Sequence, residues 1–491
     1  MEITQSNKGK RKIISEGYQY NDERQLKDGH LRFRCSQRGK KTLNPCLGSI
    51  TTDSAITAII ASVVHNHGPD PQKAQAQILR AEMKGIAEST RIRPKTIMSG
   101  VLSKHMDDKD ACIAAGNKDA LRQMITRTKK VKRPKNPTSI EDIPVPLPRE
   151  YSEYIIYDNE ESKNRILIFA SSDGLEVLGS AEKWFMDGTF FTCPSQFEQL
   201  YIIRVPLGDS CVTAAYALLP SKTKEVYIEM LNGLRSVCGN RDIVLDPVDV
   251  IADFEIGLHN AVTHVFNNET NIIGCFYHLT QSTFRRVQSE GFQTLYNVDK
   301  DFRNFCGKID GLAFLPVSDV KDGLKVLYEE VPDNLRCLLE YFDATYVNGG
   351  FKVQRPKNYP STRFRLRRIP PLFPPPVWNV HLATLQGGNR TNNYCESFNR
   401  NFKQLVGCAN PSLWLVIECI MEDICMASID RVRESKGVLK KKRVKKGTLI
   451  NQHNLKRLCN EYNNKQKNLQ QFLNSIGKKI RIAKPKKKTQ F

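Results

Sequence analysis

The sequence predicts a multidomain α/β protein in which a small β-rich module precedes a larger α/β domain carrying a helical insertion. Three observations predict it. The chain runs to 491 residues, too long for one hydrophobic core and enough for two to four domains. Short β-prone segments and turn signals fill residues 28–67. Beyond Ser152, apolar runs of strand length alternate with segments of helical period.

Composition narrows the class of function. Hydrophobic residues make up 40% of the chain, enough for folded domains, and nowhere form the uninterrupted run a membrane span needs. Met1 to Lys12 is polar and basic, so neither a secretion signal nor a membrane partner is expected. Fourteen cysteines are scattered, several in apolar stretches such as Ile417–Met426, which predicts reduced thiols in an intracellular protein. The net charge is +22 and the pI about 9.4, an excess suited to neutralising phosphates. The excess is clustered: after Glu434 the only acid is Glu461, while Lys440–Lys446 and Lys478–Lys488 are runs of base. Such runs read as nuclear import signals or nucleic-acid arms, so a nucleic-acid partner and a nuclear location are expected.

The first module is placed at residues 1–70. His30–Cys35 alternates, Leu43–Cys46 is a turn, Ser49–Thr52 is β-prone, and the apolar run Ile56–Val64 leads into His65-Asn66-His67. Two Cys and two His could close a tetrahedral zinc site, and so small a module has little core without one. His65 and His67 would project to one face of an extended strand. Ten residues separate Cys35 from Cys46 and eighteen separate Cys46 from His65, unlike fingers in which one helix supplies both His. The pattern resembles the FLYWCH/WRKY-GCM class of zinc-binding DNA-recognition domains, with Phe33 where that class commonly has Trp. The resemblance implies that Cys35, Cys46, His65 and His67 bind Zn²⁺. It also implies that Arg32, Arg34, Arg38, Lys40 and Lys41 face DNA.

A linking region is placed at 71–140. Gln72–Glu88, Arg91–His105 and Asp119–Thr128 have helical patterns, and Lys129–Pro137 is a basic, Pro-containing linker. It reads equally as a DNA-touching helical bundle or as a spacer.

The central domain is placed at 150–280 and 388–435. Ser152–Tyr157 and Arg165–Ala170 look like strands. Trp184–Phe190, Phe197–Val205 and Cys211–Leu218 predict an antiparallel three-stranded meander. Thr223–Val237 has helical period, Val248–Asp253 is a buried strand, Glu255–Phe266 a helix and Asn271–Phe276 a last strand. The order β-β-β-α-β-α-β, then a helix, is what an RNase H-like domain would give.

Asp187 and Asp253 both close apolar strands. Either alone is readily a cap. Were the two strands neighbours, their carboxylates would meet at one sheet edge. A third acid from a facing helix would then complete a cradle for two Mg²⁺ ions, suited to phosphoryl transfer. Glu396 is the candidate third acid. It sits near the start of an amphipathic helix in which Phe398, Phe402 and Leu405 share a face, behind Thr391, Asn392 and Asn393 as candidate N-caps. A first-turn acid is also favoured by the helix dipole alone. Glu255 and Asp249 are reserve acids.

Trp184–Phe190 with Phe197–Tyr201, Ala252–Glu255, Cys275–His278 and Thr391–Arg400 resemble, in order and spacing, the blocks of Mutator-like element (MULE) transposases. The resemblance implies an RNase H-like catalytic domain with a DDE triad of Asp187, Asp253 and Glu396, holding Mg²⁺ or Mn²⁺. It also implies that Cys275 and His278 form the family's Cys-x-x-His motif, for which a structural or DNA-contacting role is favoured over catalysis. Double-stranded DNA, as terminal repeats and target, is the implied partner, with a homo-oligomer assembled on it.

A helical insertion is placed at 281–387, from Thr283–Tyr296, Asp299–Leu312, Ser318–Glu330 and Val331–Ala344. Its Pro- and Arg-rich stretch Tyr359–Pro376 reads equally as a DNA grip or a surface loop. Pro411–Arg433 is a strongly apolar helix expected on the sheet. Residues 436–491 are read as a basic C-terminal tail, without the Cys-x-Cys of a SWIM module. The leading functional expectation is a DNA transposase that cleaves and joins strands. The alternative is a host-domesticated derivative acting as a sequence-specific transcriptional regulator, and a third reading is an unrelated RNase H-like nuclease.

Overall fold

The computed structural model describes residues 1–5, 11–38, 44–90, 92–160, 163–354, 365–438 and 446–481. The chain divides into two compact units, 1–136 and 137–491.

The first unit opens with a six-stranded sheet in sequence order: β1 (Glu2–Gln5), β2 (Arg11–Ser15), β3 (Tyr18–Gln25), β4 (Leu31–Cys35), β5 (Ser49–Thr52) and β6 (Ile59–Val63). All its pairings are antiparallel. In β4 the alternation is strict: Leu31, Phe33 and Cys35 are buried while Arg32 and Arg34 lie on the other face. Phe33 is fully buried with Ile13, Tyr20 and Ile50, so the Trp-to-Phe departure keeps an aromatic core. The apolar run after Ile56 forms the edge strand β6, whose residues are all exposed.

Four helices complete this unit: α1 (Pro71–Ser89), α2 (Pro94–Lys104), α3 (Lys109–Ala114) and α4 (Lys118–Lys132). Asp70, Asp108 and Asn117 cap three of them by accepting from backbone N–H groups. Leu79, Met83, Val101, Leu121 and Ile125 form their shared core. The Gln19 amide donates to Lys73 O at 2.8 Å, tying α1 to the sheet.

The second unit is built on a mixed seven-stranded sheet. Its strands are β7 (Ile155–Asp158), β8 (Leu167–Phe169), β9 (Lys183–Thr189), β10 (Gln199–Leu207), β11 (Ser210–Leu219), β12 (Asp249–Ala252) and β13 (Asn271–Gly274). Their order is β13-β12-β9-β10-β11-β8-β7. The expected meander is present as β9-β10-β11, and β12 and β13 add in parallel beyond β9. Helices α5 (Ser172–Ser180), α6 (Lys224–Gly239) and α7 (Ile256–Val265) cover one face, packing on Trp184, Met186, Tyr201 and Ile203. The segment from Ser172 to Ser180, where no helix was read, is one; Ser171 caps it.

Among the described residues seven α-helices follow in the insertion: α8 (Phe276–Ser289), α9 (Gln293–Val298), α10 (Lys300–Gly311), α11 (Val320–Glu330), α12 (Arg336–Phe342), α13 (Pro375–Trp378) and α14 (His381–Gln386). Between α12 and α13 lies a two-stranded ribbon, β14 (Gly350–Gln354) and β15 (Arg365–Ile369); β15 falls within Tyr359–Pro376, the stretch that reads equally as a DNA grip or a surface loop, of which residues 359–364 lie outside the described residues. The other sheet face is covered by α15 (Asn393–Val406) and α16 (Leu413–Ser435), through Phe398, Phe402, Trp414 and Ile417 on Phe185, Leu200, Ile202 and Tyr216. No helix among the described residues is long and apolar enough to cross a membrane.

The reading of 436–491 as a basic tail is corrected over residues 446–480. These form α17 (Lys446–Asn463) and α18 (Leu469–Ile480), and bury Leu455, Leu458, Cys459, Phe472, Leu473 and Ile476 in the core of the insertion. Helical periodicity was there beneath the charge. Gly307 and Gly477 let α10 and α18 touch, since a Cβ on either meets the other's backbone. Arg481 reaches the fully buried Asp310 at 2.6 Å, and Thr283 donates to the same carboxylate at 2.9 Å.

Candidate functional site

In the first unit, Cys35 ends β4, Cys46 precedes β5, and His65 and His67 follow β6. Their ligand atoms all lie within 4.8 Å of one another. Cys35 Sγ is 3.3 Å from His67 Nε2, and Cys46 Sγ is 3.3 Å from His65 Nδ1. Zn–S and Zn–N bonds of about 2.3 and 2.1 Å put tetrahedral neighbours roughly 3.6 Å apart, so the spacing fits one zinc ion. The remaining ring nitrogens are engaged. His65 Nε2 meets Tyr20 Oη at 2.8 Å, and His67 Nδ1 meets Gly68 O at 2.8 Å. These contacts orient each imidazole for its free nitrogen to bind metal. Backbone N–H groups of Gln37 and Gly48 donate to the two sulfurs, and Tyr18 stacks on His65 at 3.8 Å. Gly48 is required here, because a Cβ would lie 2.5 Å from the His65 ring.

Tyr18 and Tyr20 were missed in the sequence; the signal was their Tyr-x-Tyr alternation upstream of the first Cys. Arg32 donates to Ser49 Oγ at 3.3 Å on the face away from the core, Arg34 shares that face, and Arg38 follows in the turn after Cys35. Lys40 and Lys41 lie outside the described residues.

In the second unit, β9 and β12 are parallel neighbours, with Phe185 opposite Ile251. Asp187 and Asp253 each lie two residues further on, so both acids leave the same end of adjacent strands. Asp187 shares the strand face of Phe185, the face that α15 covers. The Asn399 side chain on α15 donates to Asp187 Oδ2 at 2.8 Å, and Gly188 N donates to Oδ1 at 3.0 Å. Glu396 lies one helical turn before Asn399.

Asp187 lies in the field of the other two acids. Burial, with the charges of Asp253 and Glu396, pushes the Asp187 carboxyl up to about 8, against the Gly188 and Asn399 hydrogen bonds. Burial also raises Asp253, opposed by Lys222 and Arg285, and raises Glu396, opposed by Arg400. Glu396 Oε1 is buried with no hydrogen-bond partner. Hard carboxylate oxygens, one of them orphaned, whose charged forms burial disfavours, form a donor set that fits a divalent cation. The acids are not drawn together as tightly as the Cys/His ligands. Those four are the only group of metal-ligand type so close among the described residues.

The helix start departs from the expected capping. Asn392 occupies the N-cap position, fully buried, yet its side chain caps nothing. Its Nδ2 donates to Met186 O at 2.8 Å, directly before Asp187, and its backbone N–H donates to Cys275 Sγ at 3.1 Å. Asn392 thus joins α15, β9 and the start of α8 around the acids. Burial drives the Cys275 thiol up to about 11, so it is protonated at neutral pH. Burial, with Arg285, lowers the His278 imidazole below its ordinary value, and its Nδ1 has no hydrogen-bond partner.

Of the reserve acids, Glu255 accepts from Tyr227 at 2.7 Å and pairs with Lys222 at 3.5 Å, while Asp249 pairs with Lys183 at the far end of β12. Asn399 and Lys222 were missed in the sequence, and Asn392 was expected as a cap rather than as a tie to β9. Only Asn399 carried a signal, its position three residues beyond Glu396.

Residues 183–282 match the family model of the MULE transposase domain, and residues 3–67 match that of the FLYWCH zinc finger domain. Both bear out the resemblances drawn from the motifs. The first points to a transposase-type enzyme, the second to a zinc-holding module, and together they suggest DNA as the partner. The finger match takes in β1–β3, and the transposase match ends before Glu396. No curated protein matches the chain.

Proposed function

We propose that the chain is a DDE-type DNA transposase that binds element terminal repeats and carries out metal-dependent strand cleavage and strand transfer in the nucleus. The observation that carries the reading is the acid set: buried Asp187 and half-buried Asp253 at the same end of two neighbouring strands, with half-buried Glu396 adding to the field on Asp187. The strand order, an antiparallel meander followed by parallel strands beyond β9, supports an RNase H-like core. Assembly of the protein as a homo-oligomer on paired ends belongs to the same reading.

Asp187, Asp253 and Glu396 would hold Mg²⁺ or Mn²⁺, which when bound activates the attacking oxygen and stabilises the leaving oxygen of the phosphodiester. The chain's own residues prepare the site. Asn399 fixes the rotamer of Asp187, Asn392 fixes the start of the helix bearing Glu396, and burial keeps bulk water from screening the carboxylates. The finger would read sequence, with Arg32, Arg34 and Arg38 toward DNA.

The test is cleavage of an element-end duplex by the purified protein with Mg²⁺ or Mn²⁺. Asp187→Ala, Asp253→Ala and Glu396→Ala are each expected to abolish cleavage while leaving duplex binding intact. Cleavage retained in any one of them removes that residue from the triad. A second reading, a domesticated regulator, is favoured by one observation: the Cys/His set is closed to ligand distance and the acid set is not. Zinc-dependent binding with no cleavage under any divalent ion would select it.

A further inference from the structure

The ribbon β14–β15 stands apart from everything the acid site needs. Among the described residues it pairs with no other strand, and a lone two-stranded ribbon is marginal in water. Both of its faces are open. Phe351 and Leu366 are each 70% exposed and Val353 is 53% exposed. The register puts Lys352 opposite Arg367 on one face, and Phe351 opposite Arg368 with Val353 opposite Leu366 on the other. Lys352, Arg367 and Arg368 are exposed and make no ion pair among the described residues.

The local charge is one-sided to an unusual degree. The 52 residues between Asp343 and Glu396 contain no acid, and seven lysines and arginines fall between Lys352 and Arg368. A solvated surface ribbon needs no such exclusion of acids. A surface that lies on phosphates does.

The base of the ribbon is rigid and close to the acids. Gly349 takes φ +78°, and a Cβ there would strike the backbone of Ile369–Pro371, so the two strands can leave side by side. Phe373 N donates to Thr345 O, and the buried Trp378 indole donates to Phe373 O and Tyr346 O at 3.0 and 2.9 Å. Phe373 and Tyr346 pack on Phe254, the residue after Asp253, at 5.0 and 5.6 Å between ring centroids. Phe373 also packs on His259, which hydrogen-bonds Asp253 O at 2.9 Å.

We propose that β14–β15 is a DNA arm: a basic ribbon that lies along the sugar–phosphate backbone of duplex DNA and holds it beside Asp253, independently of the finger. This rests on the reading of the chain as a DNA-acting protein. A two-stranded ribbon fits the major groove, and Lys352, Arg367 and Arg368 supply phosphate contacts, while Phe351, Val353 and Leu366 offer apolar surface to sugars and bases.

The test is duplex binding by the full-length protein over a range of salt. For Lys352→Ala/Arg367→Ala/Arg368→Ala, affinity should fall on the order of tenfold or more, and the slope of log K against log salt should lessen by about 2 to 3, with melting unchanged. Arg367→Ala alone should lower that slope by about one. An unchanged affinity and slope in both variants overturns the arm. If Phe351→Ala/Leu366→Ala dissolves a dimer while the triple variant leaves DNA binding untouched, the ribbon belongs to a second copy of the chain and the proposal falls. A wild-type protein that binds no duplex overturns the functional reading, and the arm with it.

Discussion

The two candidate metal sites solve opposite problems. Around Cys35, Cys46, His65 and His67 every donor has its second contact, from Tyr20, Gly68, Gln37 and Gly48, and the ligand atoms already face one point. Around Asp187, Asp253 and Glu396 burial disfavours each charged carboxylate, the charges of Asp253 and Glu396 raise Asp187 further, and one Glu396 oxygen has no hydrogen-bond partner. The first arrangement completes a small sheet with a thin core. The second holds back stability in a large, well-packed unit that can bear the loss. A site closed in every direction serves structure; under the proposed function, a site left electrostatically incomplete is one that a divalent cation would complete.

The largest effect should come from breaking the first site. Chelation, or His65→Ala, is expected to melt β1–β6, because structural zinc contributes about 10–16 kcal/mol to such modules. Circular dichroism and limited proteolysis should show the first unit lost and the second unit's own transition intact. If the sheet survives chelation, its apolar cluster of Ile13, Tyr20, Leu31, Phe33 and Ile50 suffices and zinc is dispensable.

The second site should respond in the opposite direction. In the metal-free protein, Asp187→Asn is expected to raise the stability of the second unit at neutral pH by on the order of 2–4 kcal/mol. The sign follows from a folded-state carboxyl raised from 3.8 to about 8: the penalty is absent below about 4, grows as pH rises, and is full above about 8. Asn399 Oδ1, now buried without a partner, can accept from the new amide. Mg²⁺ or Mn²⁺ should raise the wild-type melting temperature and leave this variant's unmoved. Destabilisation by Asp187→Asn would put the carboxylate in a structural role.

A smaller effect separates the expected cap from the observed tie. Asp is as good an N-cap as Asn but has no donor for Met186 O. Asn392→Asp should therefore cost about 1–3 kcal/mol, read by denaturant melting, and slow cleavage. An unchanged midpoint would restore the cap that the sequence predicts.

How much was legible follows from what kind of interaction each feature uses. Strands β9–β12 could be read because alternation and apolar runs are local, with Asp187 two residues before the end of β9 and Asp253 directly after β12. That β9 and β12 are neighbours is a long-range fact, supplied at the motif level only by resemblance. Asn392 looked like a cap because its local sequence is that of a cap, and its partner lies 206 residues away. The first three strands were passed over because their sequence is polar and charged. Helices α17 and α18 were passed over because a high density of Lys and Arg hides a narrow apolar stripe, which only a partner core makes visible.

The smallest effect decides which site Cys275 belongs to. Its thiol accepts the Asn392 N–H at 3.1 Å and is fully buried, so Cys275→Ala leaves that N–H without an acceptor and should cost about 1 kcal/mol. Cys275→Ser restores an acceptor of shorter reach and should recover part of the loss, with zinc content unchanged in both variants. A metal-ligating thiolate would behave otherwise: Ser and Ala would be equally damaging, and one zinc per chain would disappear. The protonated thiol argues for the first outcome, since burial without a nearby cation favours the neutral form. Recovery by Ser would place Cys275 among the groups that hold the acid site open, bracing through Asn392 the helix that carries Glu396.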